Sequence, residues 1–422
     1  MTAPSPQAPI SLEKVLPPTW RRGRLEQVCT PVRGVTFPSG EAADAAFPDS
    51  IACLTTSGVQ NQVAWESRRF IPKYHLASDE QMLRAGDLLV STANSKALVG
   101  KSCMIRDVPF PCTFGAFVTV LRPKNDVAPE FLAAWMRSPD ALVYCYTTSS
   151  NTTNISNLRV SDLLALELPL PPIPEQKRIV AILTEQMTEV EKARAATEAQ
   201  VRAAETFRSA WLNTLFSSAS LGKWPMVRLG DHVVSYRNGF GRRPQGAEDG
   251  PIVLRLADIT RGEIDLSSPR RVKMTPTELQ IYRLEPGNLL FLRVNGSRDL
   301  VGRGVVVREL GEGIAFNDHL IRVILQPGLL PEYVRAVSET RRSRATIVEL
   351  ASTSAGQLTV NQDAIASLEL PLPPLSEQQK ITNCLRQQER ISGGLSARLS
   401  EALEMLQRLP AALLRRAFNG EI

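Results

Sequence analysis

Leu166-Glu-Leu-Pro-Leu-Pro-Pro-Ile-Pro-Glu-Gln-Lys-Arg-Ile179 returns 202 residues further on as Leu368-Glu-Leu-Pro-Leu-Pro-Pro-Leu-Ser-Glu-Gln-Gln-Lys-Ile381. Chance does not produce a match of this length, so the 422-residue chain reads as a tandem duplication. The repeat continues in both directions. Ala85-Gly-Asp-Leu-Leu-Val90 answers to Pro286-Gly-Asn-Leu-Leu-Phe291, and Asn94 with Leu98-Val-Gly100 answers to Asn295 with Leu300-Val-Gly302. Pro129-Glu-Phe131 matches Pro331-Glu-Tyr333, Trp20 and Leu25 recur as Trp224 and Leu229, and Trp211 to Phe216 stands where Leu413 to Phe418 stands. Between these anchors the copies diverge, which suggests one architecture used to read two different things.

Each copy has a globular part and a helical part. The globular parts, 19–172 and 219–374, carry short β-rich runs such as Asp87 to Thr92, Phe117 to Leu121, Gly304 to Arg308 and Leu320 to Leu325, punctuated by Gly and Pro. Short helical pieces such as Pro129 to Arg137 sit between them. The Leu-Pro-Leu-Pro-Pro segment reads as a stiff extended connector, because proline disfavours helix and cannot donate to a central strand. A long helix follows each connector, within 173–218 and 375–422. Ser376 with Gln379 has the form of a capping box, and Pro174 falls near the first turn, where a missing N–H costs nothing. Glu175 and Glu377 favour their helix N-termini electrostatically. Ile179, Leu183, Val190, Ala193, Val201, Ala204, Trp211 and Leu215 give the first helix a narrow apolar seam. Ile381, Leu385, Ile391, Leu395, Leu399, Leu403, Leu406 and Leu413 do the same for the second. Pro410 is expected to bend the second helix near its end. Each helix should reach about 60 Å. The expected fold is α+β: two similar α/β domains separated by two long helices that form an antiparallel coiled coil with pseudo-twofold symmetry. Two separate bundles are the alternative. Residues 1–18, with five prolines, read as a loose tail.

Composition narrows the function. Hydrophobic residues make up 43% and charged residues 22%, as in an ordinary globular protein. No run of 18 apolar residues is present, so no membrane span is expected, and the N-terminus lacks the pattern of a signal peptide. Six cysteines at 29, 53, 103, 112, 145 and 384 form no CxxC pair, and the three histidines (His75, His232, His319) do not cluster with them. Buried free thiols in a reducing, prokaryotic cytoplasm are expected, with no metal site. There is no GxxxxGK[ST], no GxSxG, no HExxH and no amino-methyltransferase motif. Pro139-Asp140 followed by Glu175-Gln-Lys177 imitates a metal-dependent nuclease signature. That chemistry needs the Glu and Lys on a strand beside the Asp, whereas here they open a long helix. The chain is therefore expected not to be an enzyme. Its formal charge of +6 is compatible with a polyanionic partner.

The doubled Leu-Pro-Leu-Pro-Pro-x-x-Glu-Gln, each copy followed by a long helix, resembles the specificity subunit of type I restriction–modification enzymes. The Gly-Asp-Leu-Leu turn and the closing Ala417-Phe-Asn-Gly-Glu-Ile422 resemble that family as well. The resemblance implies two target-recognition domains, each reading half of a bipartite, asymmetric site in double-stranded DNA. It implies helices that space the halves and carry two DNA methyltransferase subunits, and restriction (translocase) subunits that join them. The chain itself would bind no cofactor, with S-adenosylmethionine, ATP and Mg held by the partners. Half-sites on one face of B-DNA lie about 34 Å apart, a distance such helices could span.

In the first domain the DNA-binding candidates are Arg68, Arg69, Lys73 and Tyr74, then Asn94, Ser95, Lys96 and Lys101. In the second they begin with the basic, glycine-rich stretch Tyr236 to Arg243, which offers Arg237, Asn238, Arg242 and Arg243. Glycines there would let the backbone approach phosphate, and the arginines could hold phosphate or guanine. Arg270 and Arg271 follow, then Arg293, Asn295, Ser297 and Arg298. Asn94 and Asn295 could equally be turn residues. Two other functions fit the same frame: a specificity subunit of a methylation-only or phage-defence system, and a coiled-coil scaffold that binds only proteins.

Overall fold

A computed structural model describes residues 16–422 except 152–154, 217–222, 243–248, 261, 312 and 355. The chain divides into two compact units, Met1–Thr197 with Glu401–Ile422, and Glu198–Ser400. The first long helix, Ile173–Leu215, begins in the first unit and ends in the second. The second, Leu375–Phe418, does the reverse. Each unit therefore contains the start of one long helix and the end of the other. Among the described residues no helix is long and apolar enough to cross a membrane.

In the first unit the strands are β1 (Arg21–Arg24), β2 (Cys29–Arg33), β3 (Ser50–Leu54), β4 (Arg69–Pro72), β5 (Leu88–Ser91), β6 (Ala93–Asn94), β7 (Ser102–Met104), β8 (Cys112–Phe114), β9 (Val118–Pro123), β10 (Ser150–Asn151), β11 (Ser156–Asn157) and β12 (Glu167–Leu170). They form sheets in the orders β2-β9-β5-β7, β4-β3-β8, β10-β11-β6 and β1-β12. In the second unit the strands are β13 (Met226–Arg228), β14 (Val233–Asn238), β15 (Ile252–Leu254), β16 (Ile259–Thr260), β17 (Glu263–Ile264), β18 (Leu289–Leu292), β19 (Val294–Asn295), β20 (Gly304–Val306), β21 (Ile314–Phe316), β22 (Leu320–Leu325), β23 (Ser352–Ser354), β24 (Gln357–Thr359) and β25 (Glu369–Pro371). Their sheets repeat the plan: β14-β22-β18-β20, β15-β21, β19-β24-β23 and β13-β25, with a further ribbon β16-β17. The parallel pairing of β3 with β8 recurs as β15 with β21.

The central strands β5 and β18 are apolar except for Ser91, because each separates two layers. Leu88 and Val90 of β5 enter one core with Phe131 and Trp135, while Leu89 enters another with Phe114 and Val120. In the second unit Leu289 and Phe291 point to a core around Tyr333, and Leu290 and Leu292 to one around Phe316. Five of the six cysteines are buried. Burial pushes the thiols of Cys29, Cys53, Cys112 and Cys145 up to about 12 and that of Cys103 to about 11, so they stay protonated.

The repeated motif is built differently from the sequence expectation. Its Leu-Pro-Leu portion is not a free connector. It pairs with the start of its own copy, Arg21 with Leu170 and Met226 with Pro371, in two-stranded ribbons whose free edges tolerate proline. No capping box forms at Ser376, which lies inside a helix that already begins at Leu375. The first turns close instead on proline carbonyls: Pro172 O accepts from Glu175 and Gln176, and Pro374 O from Glu377 and Gln378. Glu175 and Glu377 sit in those first turns and pair with Arg178 and Lys380, each at 2.7 Å. Gln176 and Gln378, both fully buried, join helix to domain. Gln176 Oε1 accepts from Ala128 N at 2.8 Å, and its Nε2 donates to Asp126 O and Pro171 O at 3.0 and 2.9 Å. Gln378 makes the same three bonds, with Leu330 N, Gly328 O and Pro373 O, each at 2.9 Å.

Further along, each unit fastens its helix segments in its own way. In the first, Phe418 packs edge-on against Phe131 and Trp135. In the second, Arg335 pairs with Glu339 and Glu389, Arg386 pairs with Glu332, and Phe216 packs against Tyr333. The seam residues are not uniformly covered. Ile391 and Leu395 are 58% and 47% exposed, while Leu385 and Leu399 are buried. A stripe spaced at three and four residues drifts around a straight helix, so its members cannot all face one neighbour. The second helix continues without interruption through Pro410.

Replacing either glutamine by leucine removes three hydrogen bonds and leaves a buried N–H without an acceptor. Gln176→Leu and Gln378→Leu should each destabilise their own unit by about 1–3 kcal/mol, read as a lower urea midpoint. Gln176→Leu should leave residues 198–400 unaffected in hydrogen exchange, and an equal loss of protection in both units would contradict this assignment.

Candidate nucleic-acid interface

The two units present the same polar corner. In the first unit a turn joins β8 to β9. Gly115 N donates to Leu54 O, Ala116 N to Val35 O, and Phe117 O accepts from Thr92 N and Ala93 N. In the second unit Asn317 N donates to Leu254 O, Asp318 N to Phe240 O, and His319 O accepts from Arg293 N. Beside each turn lies a three-stranded sheet, β10-β11-β6 or β19-β24-β23. Its strands are short and rich in Ser, Thr, Asn and Gln, with Ser156 opposite Asn94 in one unit and Leu358 opposite Asn295 in the other. Sequence reasoning missed the hairpin strands of these sheets, β10 with β11 and β23 with β24. The signal was available, because the charge-free stretches 147–157 and 352–359 occupy matching places in the repeat.

Glycine is required here, for a reason other than phosphate approach. A Cβ on Gly239 would lie 2.0 Å from Asn317 O, and one on Gly34 would lie 2.2 Å from Gly115 O. The close approach that these two glycines make is to the domain's own turn. The stretch from Tyr236 is also half strand, since β14 runs to Asn238 and pairs with β22. Tyr236 itself is half-buried, and burial pushes its hydroxyl up to about 12.

Many of the candidate side chains are occupied within their own unit. Arg68 donates to Trp65 O and lies over the rings of Phe110 and Phe70. Arg69 pairs with Asp44 at 3.0 Å and donates to Ala42 O. The Tyr74 hydroxyl donates to Glu41, which also binds His75 and is held below the usual carboxylate range by these bonds. Asn94 and Asn295 serve their turns: Asn94 Oδ1 accepts from Ser95 N, and Asn295 Oδ1 from Ser297 N. Ser297 Oγ in turn accepts from Asp299 N. Lys96 donates to Ser149 O and Oγ and sits over the Tyr146 ring at 4.7 Å, while Lys101 donates to Gln60.

In the second unit Arg242 pairs with Glu278 at 2.5 Å, Arg271 donates to Gly250 O, and Arg293 to Asp318 O. Asn238 Oδ1 accepts from Gln362 Nε2. Arg243 lies outside the described residues. Lys73, Arg237, Arg270 and Arg298 are exposed, with no side-chain hydrogen bond or ion pair among the described residues. In each unit the candidates fall on more than one sheet. Arg69 is on β4, in the β3 sheet, and Asn94 on β6. Arg271 bridges to β15, Arg237 is on β14, and Asn295 is on β19.

The family described as the type I restriction modification DNA specificity domain matches residues 17–197 and 311–405. The specificity subunit of the type I restriction enzyme StySPI from Salmonella potsdam is 30% identical over 420 residues, covering 96% of this chain and 90% of that one. The EcoKI specificity subunit from Escherichia coli is 28% identical with the same coverage. Among solved structures, a chain from work on complex assembly and conformational transition of the type I R-M system is similar with a TM-score of 0.76 at 21% identity, covering 97% of this chain and all of that one. The HsdS subunit from Thermoanaerobacter tengcongensis gives a TM-score of 0.58 at 21% identity, covering 96% of this chain and 98% of that one. At these identities the two structures establish a shared fold.

The shared corner depends on its glycines. Gly34→Ala should destabilise the first unit by about 1–3 kcal/mol, because the added methyl meets a carbonyl and not a yielding side chain. Gly40→Ala, where nothing lies within 4 Å, should stay within about 0.5 kcal/mol of the parent. Urea unfolding of both variants distinguishes them, and equal midpoints would remove the steric argument.

Proposed function

This chain belongs to the type I restriction–modification DNA specificity family, and from that premise we propose that each unit reads one half of a bipartite site in double-stranded DNA. The observation that carries this reading is the shared corner. Two units hold equivalent turns with matching backbone bonds, yet they offer different side chains: Ala116 and Phe117 in one, Asp318 and His319 in the other. A rigid frame with exchangeable contents is what independent reading of two half-sites requires.

Affinity comes from the free cations. Lys73, Arg237, Arg270 and Arg298 are available to phosphates without first breaking an internal ion pair, whereas Arg69 and Arg242 must leave a carboxylate. The chain acts without catalysis of its own. S-adenosylmethionine, ATP and Mg belong to partner subunits: two methyltransferase subunits and the restriction subunits. The exposed apolar side chains of the long helices support docking of such partners. Ile391 and Leu395 lie in the second unit, and Met405 and Leu409, 61% and 40% exposed, in the first.

Sequencing methylated bases in cells with and without the gene tests the core of the proposal. A two-part, asymmetric motif should disappear on deletion, and exchange of residues 19–172 for the matching domain of a relative should change one half of the motif only. Change in both halves, or in neither, would end the modular reading. For affinity, Arg237→Ala with Arg298→Ala should flatten the plot of log K against log salt by about 0.9 per lost phosphate contact, alike on specific and unrelated DNA. An unchanged slope would take these two arginines out of the interface.

A further inference from the structure

The turn that closes each corner carries an exposed ring that the internal bonds leave free. Phe117 is 61% exposed and is the only exposed phenylalanine among the described residues of its unit. Its backbone is immobilised from several directions. Phe117 O accepts from Thr92 N at 3.0 Å, Ala93 N at 3.3 Å and Thr92 Oγ1 at 3.3 Å, and the N–H groups of Gly115, Ala116 and Val118 are all bonded. His319 stands at the same place in the second unit. It is exposed, and its carbonyl accepts from Arg293 N at 2.7 Å, while Asn317, Asp318 and Leu320 repeat the bonds of Gly115, Ala116 and Val118. A single exposed phenylalanine is ordinary on a protein surface. Here, however, both copies hold an exposed ring on the same rigid turn, and the rings differ in chemistry. Phenylalanine offers only an apolar face, suited to a thymine methyl. Histidine offers ring nitrogens that can donate to or accept from a purine edge.

We propose that residues 117 and 319 are equivalent base-reading positions, Phe117 contacting a thymine methyl in one half-site and His319 hydrogen-bonding a purine edge in the other. This rests on the reading of each unit as a recognition domain. Entropy favours such a reader: the turn is already ordered, so contact costs only the freedom of two side-chain torsions.

The test uses the full chain assembled with its methyltransferase subunits, comparing the parent with Phe117→Ala, Phe117→His and His319→Phe by sequencing methylated bases. Both alanine and histidine at 117 should relax or change one position in one half of the motif. His319→Phe should do so in the other half, with every other position retained. Binding supplies a second readout. Replacing the contacted thymine by deoxyuridine should weaken the parent about fourfold, the value of one buried methyl, and should leave Phe117→Ala indifferent. All variants should keep the parent's affinity for unrelated DNA, which reports that they are folded. A parent that yields no two-part motif would overturn the recognition reading and this proposal with it. A parent motif that survives unchanged in Phe117→Ala, with equal affinity for thymine and deoxyuridine, would overturn this proposal alone.

Discussion

A buried glutamine amide fixes where each long helix leaves its domain. Gln176 and Gln378 each use one acceptor and two donors on three backbone groups, two from the loop that precedes a short domain helix and one from the proline segment behind the long helix. An amide is the natural side chain for this task, since glutamate cannot donate and a hydrocarbon can neither donate nor accept. Because the groups are out of water, the cost of leaving them unpaired exceeds the modest net gain of forming the bonds. The clamp therefore specifies direction more than it adds stability. The ribbons β1-β12 and β13-β25 lie immediately before it, so each domain closes its own chain at the point where its helix begins.

The duplication was legible in the sequence, and with it the α+β class and the two long helices. The helix starts fall where the sequence segments begin, since proline punctuates them, and the segments run three or four residues past the helix ends. What escaped was the division of labour inside the motif. Glu175 and Glu377 drew notice because charge at a helix start has a known effect, yet the neighbouring glutamines carry the tertiary contact. Their role depends on carbonyls some fifty positions away in the chain, which no local pattern reports. The seam was over-read for a related reason. Ile391 and Leu395 have helical spacing, but spacing alone does not say which turns find a neighbour.

The basic clusters show the same limit more sharply. Sequence registers an arginine but not its partner. Arg69 has Asp44, Arg242 has Glu278, and Arg68 lies over two rings, whereas Arg237 and Arg298 have none among the described residues. Asn94 and Asn295 were ambiguous between turn and contact, and their side-chain oxygens are used by the turn. Gly34 and Gly239 serve packing within the domain. The sequence could name the basic and polar candidates, and only the fold could separate side chains already engaged from those still free.

The second copy also shows how far the frame can be altered and still hold. Asp87 accepts from Arg84 N through Oδ2 and binds Arg122 through both oxygens, at 2.8 and 2.9 Å. Its counterpart Asn288 keeps the first role, accepting from Glu285 N, but brings no negative charge. Ile324 stands where Arg122 stands, so the ion pair is absent, and Arg322, at the place of Val120, turns to the carbonyls of Arg283 and Ile281 and lies over the Phe316 ring. Burial, with Arg237 opposite on β14, holds its pKa below the usual arginine value. The turn thus needs an acceptor at this position and not a charge, and the guanidinium that binds the charge in the first copy has given way to an isoleucine in the second. A frame fixed by backbone bonds, glycine contacts and one amide clamp leaves its other side chains replaceable. Such replaceability lets two copies of one fold carry different contents without either copy losing its shape.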